Sequence, residues 1–431
     1  MVQDDPEVPE PFLAAARELL EAHPPSAGES YRLPLTSLTL GAEEIAAAFE
    51  ALVRGPLTQG PRVRALEREF AADHGVPVAL FCNSGSSANL LAISCLAGGG
   101  GEGPADEPLL QPGGEVIVPA LTWSTTLWPV VQVGAIPVLA DVSPETLNVT
   151  VESVERALSP RTRAVFVAHT LGNPAPVDDL ARLCAAKRIT LVEDACESLD
   201  ACIDGRRVGT FGRLATFSFY FSHHITTIEG GMVLASDAGD EARLRMLRAH
   251  GWSRDLPEER RRALEAENPD LDPRFLFVST GYNLRGTEVQ AAIGRVQMRR
   301  RAAFLAHRRR VAASWTAALQ RHPEIFAPVR FAPGASPFAL PLVLRAGSGA
   351  TRRRLTRFLE DSGIETRPLV AGNLARQPAM RRVAHRLAGP LDGADALHER
   401  AIYIGIHPTL SDGQIGYFSE TLDRFAAEVT P

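Results

Sequence analysis

The sequence predicts an α/β fold: a mostly parallel, seven-stranded sheet flanked by helices, with a smaller α+β unit at the C-terminal end. Three observations carry this expectation. Seven short apolar runs alternate with helix-like stretches between residues 77 and 236, the pattern of strands joined by crossover helices. After about residue 240 that alternation gives way to long helical stretches, then to separate strand and helix patterns. The chain has 431 residues, 45% of them hydrophobic, enough for two or three structural units around large cores.

In chain order, residues 1–40 read as an N-terminal extension, acidic and proline-rich at its start, with one amphipathic helix, FLAAARELLEAH. Two helical patterns follow, EEIAAAFEALV and VRALEREFAADHG. The seven strand candidates are PVALFCN, EVIVPA, IPVLADV, AVFVAHT, ITLVEDA, ATFSFYF and GMVLAS. Helical segments such as SANLLAISCLA, VESVERALS and VDDLARLCAAKR separate them. Residues 97–114, rich in glycine and proline, read as an exposed loop without chemistry. We expect a large domain over 41–295 and a small α+β domain over 296–431. The latter would hold a strand in FALPLVLRA, a helix in RRRLTRFLEDSG, a strand in IETRPLV and a terminal helix in SDGQIGYFSETLDRFAAEV.

Composition excludes several classes. A net charge of −6 gives no reason to expect nucleic acid or a membrane surface as partner. Of four arginine clusters, at 260–262, 299–301, 308–310 and 352–354, most lie in helical patterns and read as solvated faces, with a phosphate or partner contact as the alternative. The five cysteines form no CxxC pair and no metal-ligand spacing, so no metal is expected. Their odd number fits reduced thiols in a cytoplasm. The N-terminus lacks the basic region and apolar run of a signal peptide, and no run of 18 apolar residues appears. The chain contains a single lysine, Lys187.

Two constellations look like parts of a phosphate- and ring-binding site, though each alone has an ordinary structural reading. NSGSSANLL (83–91) follows a strand and opens a helix. Gly85 permits a tight turn, and Ser86 and Ser87 offer hydroxyls and N–H groups to an anion; a plain serine N-cap would look the same. LVEDACES (191–198) puts Asp194 at the C-terminal end of a strand, where open α/β sheets bind ligands. There it would keep a pyridinium nitrogen protonated, or simply cap the next helix.

The third constellation, ATFSFYFSHHITTIEGGMV (215–233), carries a family resemblance. It resembles the DegT/StrS-type sugar aminotransferases, pyridoxal-phosphate enzymes of fold type I. In that family the Schiff-base lysine lies five residues after a Ser-Phe serine and before a Gly-Asp/Glu-Gly-Gly turn. Five residues after Ser218 stands His223. The chain is therefore similar to the histidine branch, the nucleotide-sugar 3-dehydratases, whose motif reads SFYPAHHITMGEGG. LTQGPRVRALEREFA, AHTLGNP (168–174), STGYNLRGTEVQAA (279–292) and AGNLARQPA (371–379) resemble the same branch, so the likeness covers nearly the whole chain. Phe221 replaces the branch's proline, and Thr227 and Ile228 replace its Met-Gly.

The resemblance implies roles. Ser86, Ser87 and Ser218 would hold the cofactor phosphate. Asn283 of a partner subunit would complete that site, making a homodimer. Trp123 would stack on the pyridine ring and Asp194 would pair with its nitrogen. His223, rather than His224, would be the base. Imidazole moves protons near neutral pH but forms no stable Schiff base. The expected reaction uses pyridoxal or pyridoxamine phosphate to remove the carbon-3 hydroxyl of a 4-keto-6-deoxy nucleotide sugar, with an amino donor, glutamate, recharging the cofactor. Iron–sulfur members of the branch use cysteines after the histidine loop. This chain has none after Cys202, so neither cluster nor reductase partner is expected. Two alternatives stay open: an aminotransferase-like enzyme for another keto substrate, and a non-catalytic cofactor- or sugar-binding scaffold.

Overall fold

The computed structural model describes residues 8–23, 31–98 and 109–429. The central ten residues of the expected 97–114 loop lie outside them. All seven strand candidates form strands: β1 (Val78–Cys82), β2 (Glu115–Pro119), β3 (Ile136–Ala140), β4 (Thr162–Ala168), β5 (Thr190–Asp194), β6 (Leu214–Ser218) and β7 (Gly231–Ala235). They lie in the order β1-β7-β6-β5-β4-β2-β3. β7 is antiparallel to both neighbours, and the other contacts are parallel. Helices cover both faces, which is why β1, β2 and β7 are buried at every residue and read as unbroken apolar runs.

The C-terminal region adds β8 (Ala339–Val343), β9 (Thr366–Pro368), β10 (Arg386–Leu387) and β11 (Ala401–Gly405). The two residues of β10 extend the main sheet to eight strands by pairing with β3. β8, β11 and β9 make a separate antiparallel sheet with β11 in its centre. Its core includes Leu340, Leu342, Ile402, Ile404, Trp315, Phe418 and Phe425. The helix Glu288–Gln320 runs between the two cores, its 33 residues packing near one end on the helix Ala42–Arg54 and near the other on the helix Asp412–Val429.

Within residues 1–40, the amphipathic helix is Glu10–Ala22. The stretch from residue 31 then crosses to the small sheet's side of the molecule. Leu33 exchanges main-chain hydrogen bonds with Gly363 and Glu365, both 2.9 Å, and Leu35 N–H donates to the Glu365 carboxylate at 2.8 Å.

The arginine clusters are helical, as expected, but Arg308 corrects the reading of solvated faces: it is 2% exposed. A second buried arginine, Arg248, joins three elements of the large unit. Its guanidinium donates to Glu67 at 2.6 Å and to the Phe81 carbonyl at 2.7 Å, and Glu67 also accepts from Phe81 N–H at 3.0 Å. Removing one partner of a buried pair leaves the other charge desolvated and uncompensated. Glu67→Ala should therefore destabilise the fold by about 3–5 kcal/mol, read as a lower urea midpoint.

Candidate active site

A cavity of about 530 Å³ opens where the C-terminal ends of the parallel strands meet the small sheet, the edge at which open α/β sheets bind ligands. The turns after β1, β2, β4, β5 and β6 supply one wall. Leu35, Thr36, Phe338, Arg367 and Tyr403 supply the other.

Asp194, the last residue of β5, is 7% exposed. One carboxylate oxygen accepts from Asn89 Nδ2 and Thr126 Oγ1, both at 2.8 Å. The other accepts from Cys196 N–H at 3.1 Å. All three donors are neutral, and among the described residues no cation is within ion-pair distance of it. A buried carboxylate so held is matched by a cationic N–H donor brought in by a ligand. A protonated pyridine nitrogen fits that requirement.

Between β1 and the helix Gly85–Leu96, Ser84 is the N-cap and accepts from Ser87 N–H at 3.1 Å. Ser87 also accepts from the Ser84 hydroxyl at 2.9 Å, and it does not line the cavity. Ser86 does, at hydrogen-bond distance from Thr125 (3.3 Å). Ser218 lies against Gly85 so closely that a Cβ there would sit 2.5 Å from the serine Cβ. A side chain at 85 would fill the gap between the helix N-terminus and the Ser218 hydroxyl, a cradle for a phosphate. Trp123 lines the cavity and is 56% exposed at the N-cap of the helix Ser124–Gln132. Asn283 is exposed, accepts from Arg285 at 3.1 Å and stands outside its own chain's cavity.

His223 reaches the cavity wall and His224 does not. The His224 ring is at hydrogen-bond distance from the Ser336 carbonyl through Nε2 (2.9 Å), in the protein interior. The His223 ring is half-buried, edge-on to Phe338 at 5.0 Å, and its Nδ1 has no partner. Burial first, and the Arg308 charge second, push its pKa down to about 3. Phe221 lines the cavity where the branch has proline. Thr227 is buried and donates to the Glu229 carbonyl at 2.8 Å. Ile228 has φ +71° and is 52% exposed: a β-branched residue occupies a left-handed position at which the branch carries glycine.

Sequence reasoning missed several lining residues. Glu197, three residues after Asp194, accepts from Leu171 N–H at 2.8 Å. Burial and then the nearby Asp194 charge outweigh that bond, and its pKa rises to about 7. Its position inside the LVEDACES motif was a usable signal. Arg367 and Tyr403, opposite each other on β9 and β11, carry no local signal, because only the tertiary fold brings them here. His169 accepts from Ala175 N–H at Nδ1 (3.1 Å), which leaves Nε2–H to donate to Glu193 at 3.2 Å. Lys187 is exposed at the end of the helix Val177–Lys187 and lines no part of the cavity. Among the described residues no cluster suits a metal ion, and no helix is long and apolar enough to cross a membrane.

The chain is similar to known proteins over most of its length. The model of the DegT/DnrJ/EryC1/StrS aminotransferase family matches residues 39–423. The dTDP-4-dehydro-2,6-dideoxy-D-glucose 3-dehydratase of Saccharopolyspora spinosa is 37% identical over 401 residues, 90% of this chain and 85% of its own. The GDP-4-keto-6-deoxy-D-mannose 3-dehydratase of Yersinia pseudotuberculosis is 34% identical, covering 87% and 94%. A solved GDP-4-keto-6-deoxymannose-3-dehydratase holding a trapped PLP–glutamate geminal diamine superimposes with a TM-score of 0.83 at 32% identity, covering 91% of this chain and 100% of that one.

Ile228→Gly should relieve the left-handed strain and lose little buried surface. A left-handed residue costs roughly 1–2 kcal/mol, partly offset by glycine's greater unfolded-state entropy. We expect a stabilisation of about 1 kcal/mol, read as a higher urea midpoint at unchanged slope.

Proposed function

The chain belongs to the DegT/DnrJ/EryC1/StrS aminotransferase family, and we propose that it is a pyridoxal/pyridoxamine-phosphate-dependent dehydratase that removes the carbon-3 hydroxyl of a 4-keto-6-deoxy nucleotide sugar. The observation that carries this reading is His223. An imidazole lines the cavity at the family's lysine register, and the chain's one lysine lies elsewhere. The two relatives named above are 3-dehydratases of keto-deoxy nucleotide sugars.

When bound, the cofactor supplies the electron sink. The chain's own groups do the rest. Asp194 holds the proton on the ring nitrogen. Ser86, Ser218 and the N–H groups of the helix start bind the phosphate, with Ser87 fixing the turn. Trp123 covers the ring. Asn283 of a second copy completes the phosphate site in a homodimer. His223 is unprotonated throughout the neutral range, so it takes a proton from the carbon bearing the amino group. Its conjugate acid is strong and readily returns that proton to the departing hydroxyl oxygen. With no lysine in the cavity lining, no side-chain amine competes for the aldehyde form of the cofactor. Glutamate is the amino donor, in keeping with the adduct in the solved relative.

The test starts from purified protein, pyridoxal phosphate and glutamate, followed by absorbance, then a 4-keto-6-deoxy sugar nucleotide with product masses measured. Loss of the carbon-3 oxygen without gain of nitrogen is expected; an amino sugar retaining that oxygen would sink the reading. His223→Asn should bind cofactor normally and lose about 10²–10⁴-fold in kcat. Because burial holds the imidazole's pKa near 3, its basic form is present above that value. The wild-type kcat profile should therefore show no histidine-dependent fall as pH drops from 8 towards 5. A limb centred near 6.5 and absent from the His223→Asn residual rate would contradict this placement.

A further inference from the structure

Arg308 lies in the interior of the Glu288–Gln320 helix, where the two cores meet, and is among the largest fully buried side chains. Buried arginines ordinarily face a carboxylate. Among the described residues none is within ion-pair distance of this one. Its guanidinium donates instead to three main-chain carbonyls: His223 at 3.2 Å, Phe338 at 3.1 Å, and Ile406. Its Nε–H has no partner. Burial lowers its pKa to about 9, so the group remains charged at neutral pH.

The three carbonyls belong to the three segments that must agree for the cavity to exist. His223 is in the histidine loop. Phe338 immediately precedes β8, and its ring packs on both histidines, at 5.0 Å and 5.8 Å. Ile406 follows β11, which carries Tyr403. The Phe338 segment is fastened in turn to the wall after β4: Ser336 N–H donates to the Gly172 carbonyl at 2.9 Å, and Phe338 N–H to Leu171 at 3.1 Å.

We propose that Arg308 is the positioning residue of this site, its planar fork fixing the His223 main chain to both segments of the small sheet and setting an unpaired positive charge beside the imidazole. The proposal rests on His223 being the base. A fork spanning several acceptors is a task for arginine and not for the point charge of lysine.

Other groups around the ring are accounted for. In its own loop stand Tyr220 and His224. Glu229 ends the same loop, and the carboxyls of Asp194, Glu197 and Glu365 line other parts of the cavity. Arg367 also lines the cavity, with Tyr403, Cys196 and His169. Among them all, Arg308 is the charge that bears on the His223 imidazole.

The test compares Arg308→Lys and Arg308→Gln in the full-length protein. One readout is an NMR titration of the His223 imidazole, identified by the resonance missing in His223→Asn. The other is single-turnover conversion of bound pyridoxal phosphate by glutamate, followed by absorbance, together with cofactor affinity. Removing a positive neighbour favours the imidazolium, so Arg308→Gln should raise the titration midpoint by about one unit. It should also slow conversion ~10²-fold, with cofactor affinity within ~3-fold. Arg308→Lys should leave the midpoint in place and slow conversion ~10-fold. An unmoved midpoint in a folded Arg308→Gln protein overturns the proposal, as does a wild-type rate. Should that variant not fold, Arg308→Lys decides: slowed conversion at unchanged affinity supports the clamp, and a wild-type rate overturns it. Neither reading needs the sugar substrate. If His223→Asn converts cofactor at the wild-type rate, the base assignment itself has failed and the proposal falls with it.

Discussion

The Asp194 carboxylate is the constraint on which the site depends. It stands at the end of β5 and is held from three directions: by Asn89 from the helix after β1, by Thr126 from the helix after β2, and by the main chain of its own turn. Those bonds fix the relative heights of the βα units around the middle of the sheet. Asn89 is held further by accepting from Thr216 of β6 at 2.6 Å. A one-residue slip in β5 would turn this carboxylate to the other face of the sheet. The donors that position Asp194 are neutral, so its charge remains available to a ligand. The same network therefore sets both the register of the sheet and the affinity of the cavity for a cationic ring.

Much of this was legible in the sequence because the informative residues are local. Strands buried on both faces leave continuous apolar runs, and all seven could be read. The five-residue interval from Ser218 to His223 places the imidazole without knowledge of any long-range contact. β11 is different. AIYIG directly follows the helix Asp392–Arg400 and has no turn signal before it, so the run did not stand out. The two residues of β10 are too few for any pattern. Arg367, Tyr403 and the small-sheet wall are distant in sequence from the motifs they face. Arg308 shows most clearly where pattern reading stops. It sits in a run of three arginines, of which Arg309 and Arg310 are exposed, and composition cannot show which of the three points inward.

The departures from the branch motif have a physical meaning in three dimensions. Thr227 is not a loose replacement for methionine, because its hydroxyl closes on the Glu229 carbonyl within the turn. Ile228 accepts an unfavourable backbone conformation at a solvent-exposed site, and its N–H is held by the Thr226 hydroxyl at 2.8 Å. The turn is thus enforced by threonine hydroxyls where glycine would permit it freely. His223 lines the cavity wall beside these changes, held by Arg308 at its carbonyl, by Phe338 at its ring and by the Tyr220 carbonyl at its N–H (2.9 Å).

The pairing of Leu33 and Leu35 with residues 363–365 has a consequence for how the protein is made. Leu35 and Thr36 are synthesised early, yet they reach their place in the cavity wall only against a strand roughly 330 residues later. At ribosomal rates of about 5–20 residues per second, that interval lasts tens of seconds. Throughout it, the main sheet can assemble behind an open chamber. The cavity wall is thus completed late: residues 33–36 wait for residues 363–365, and Tyr403 is made later still, so a chain released before that point lacks part of its lining.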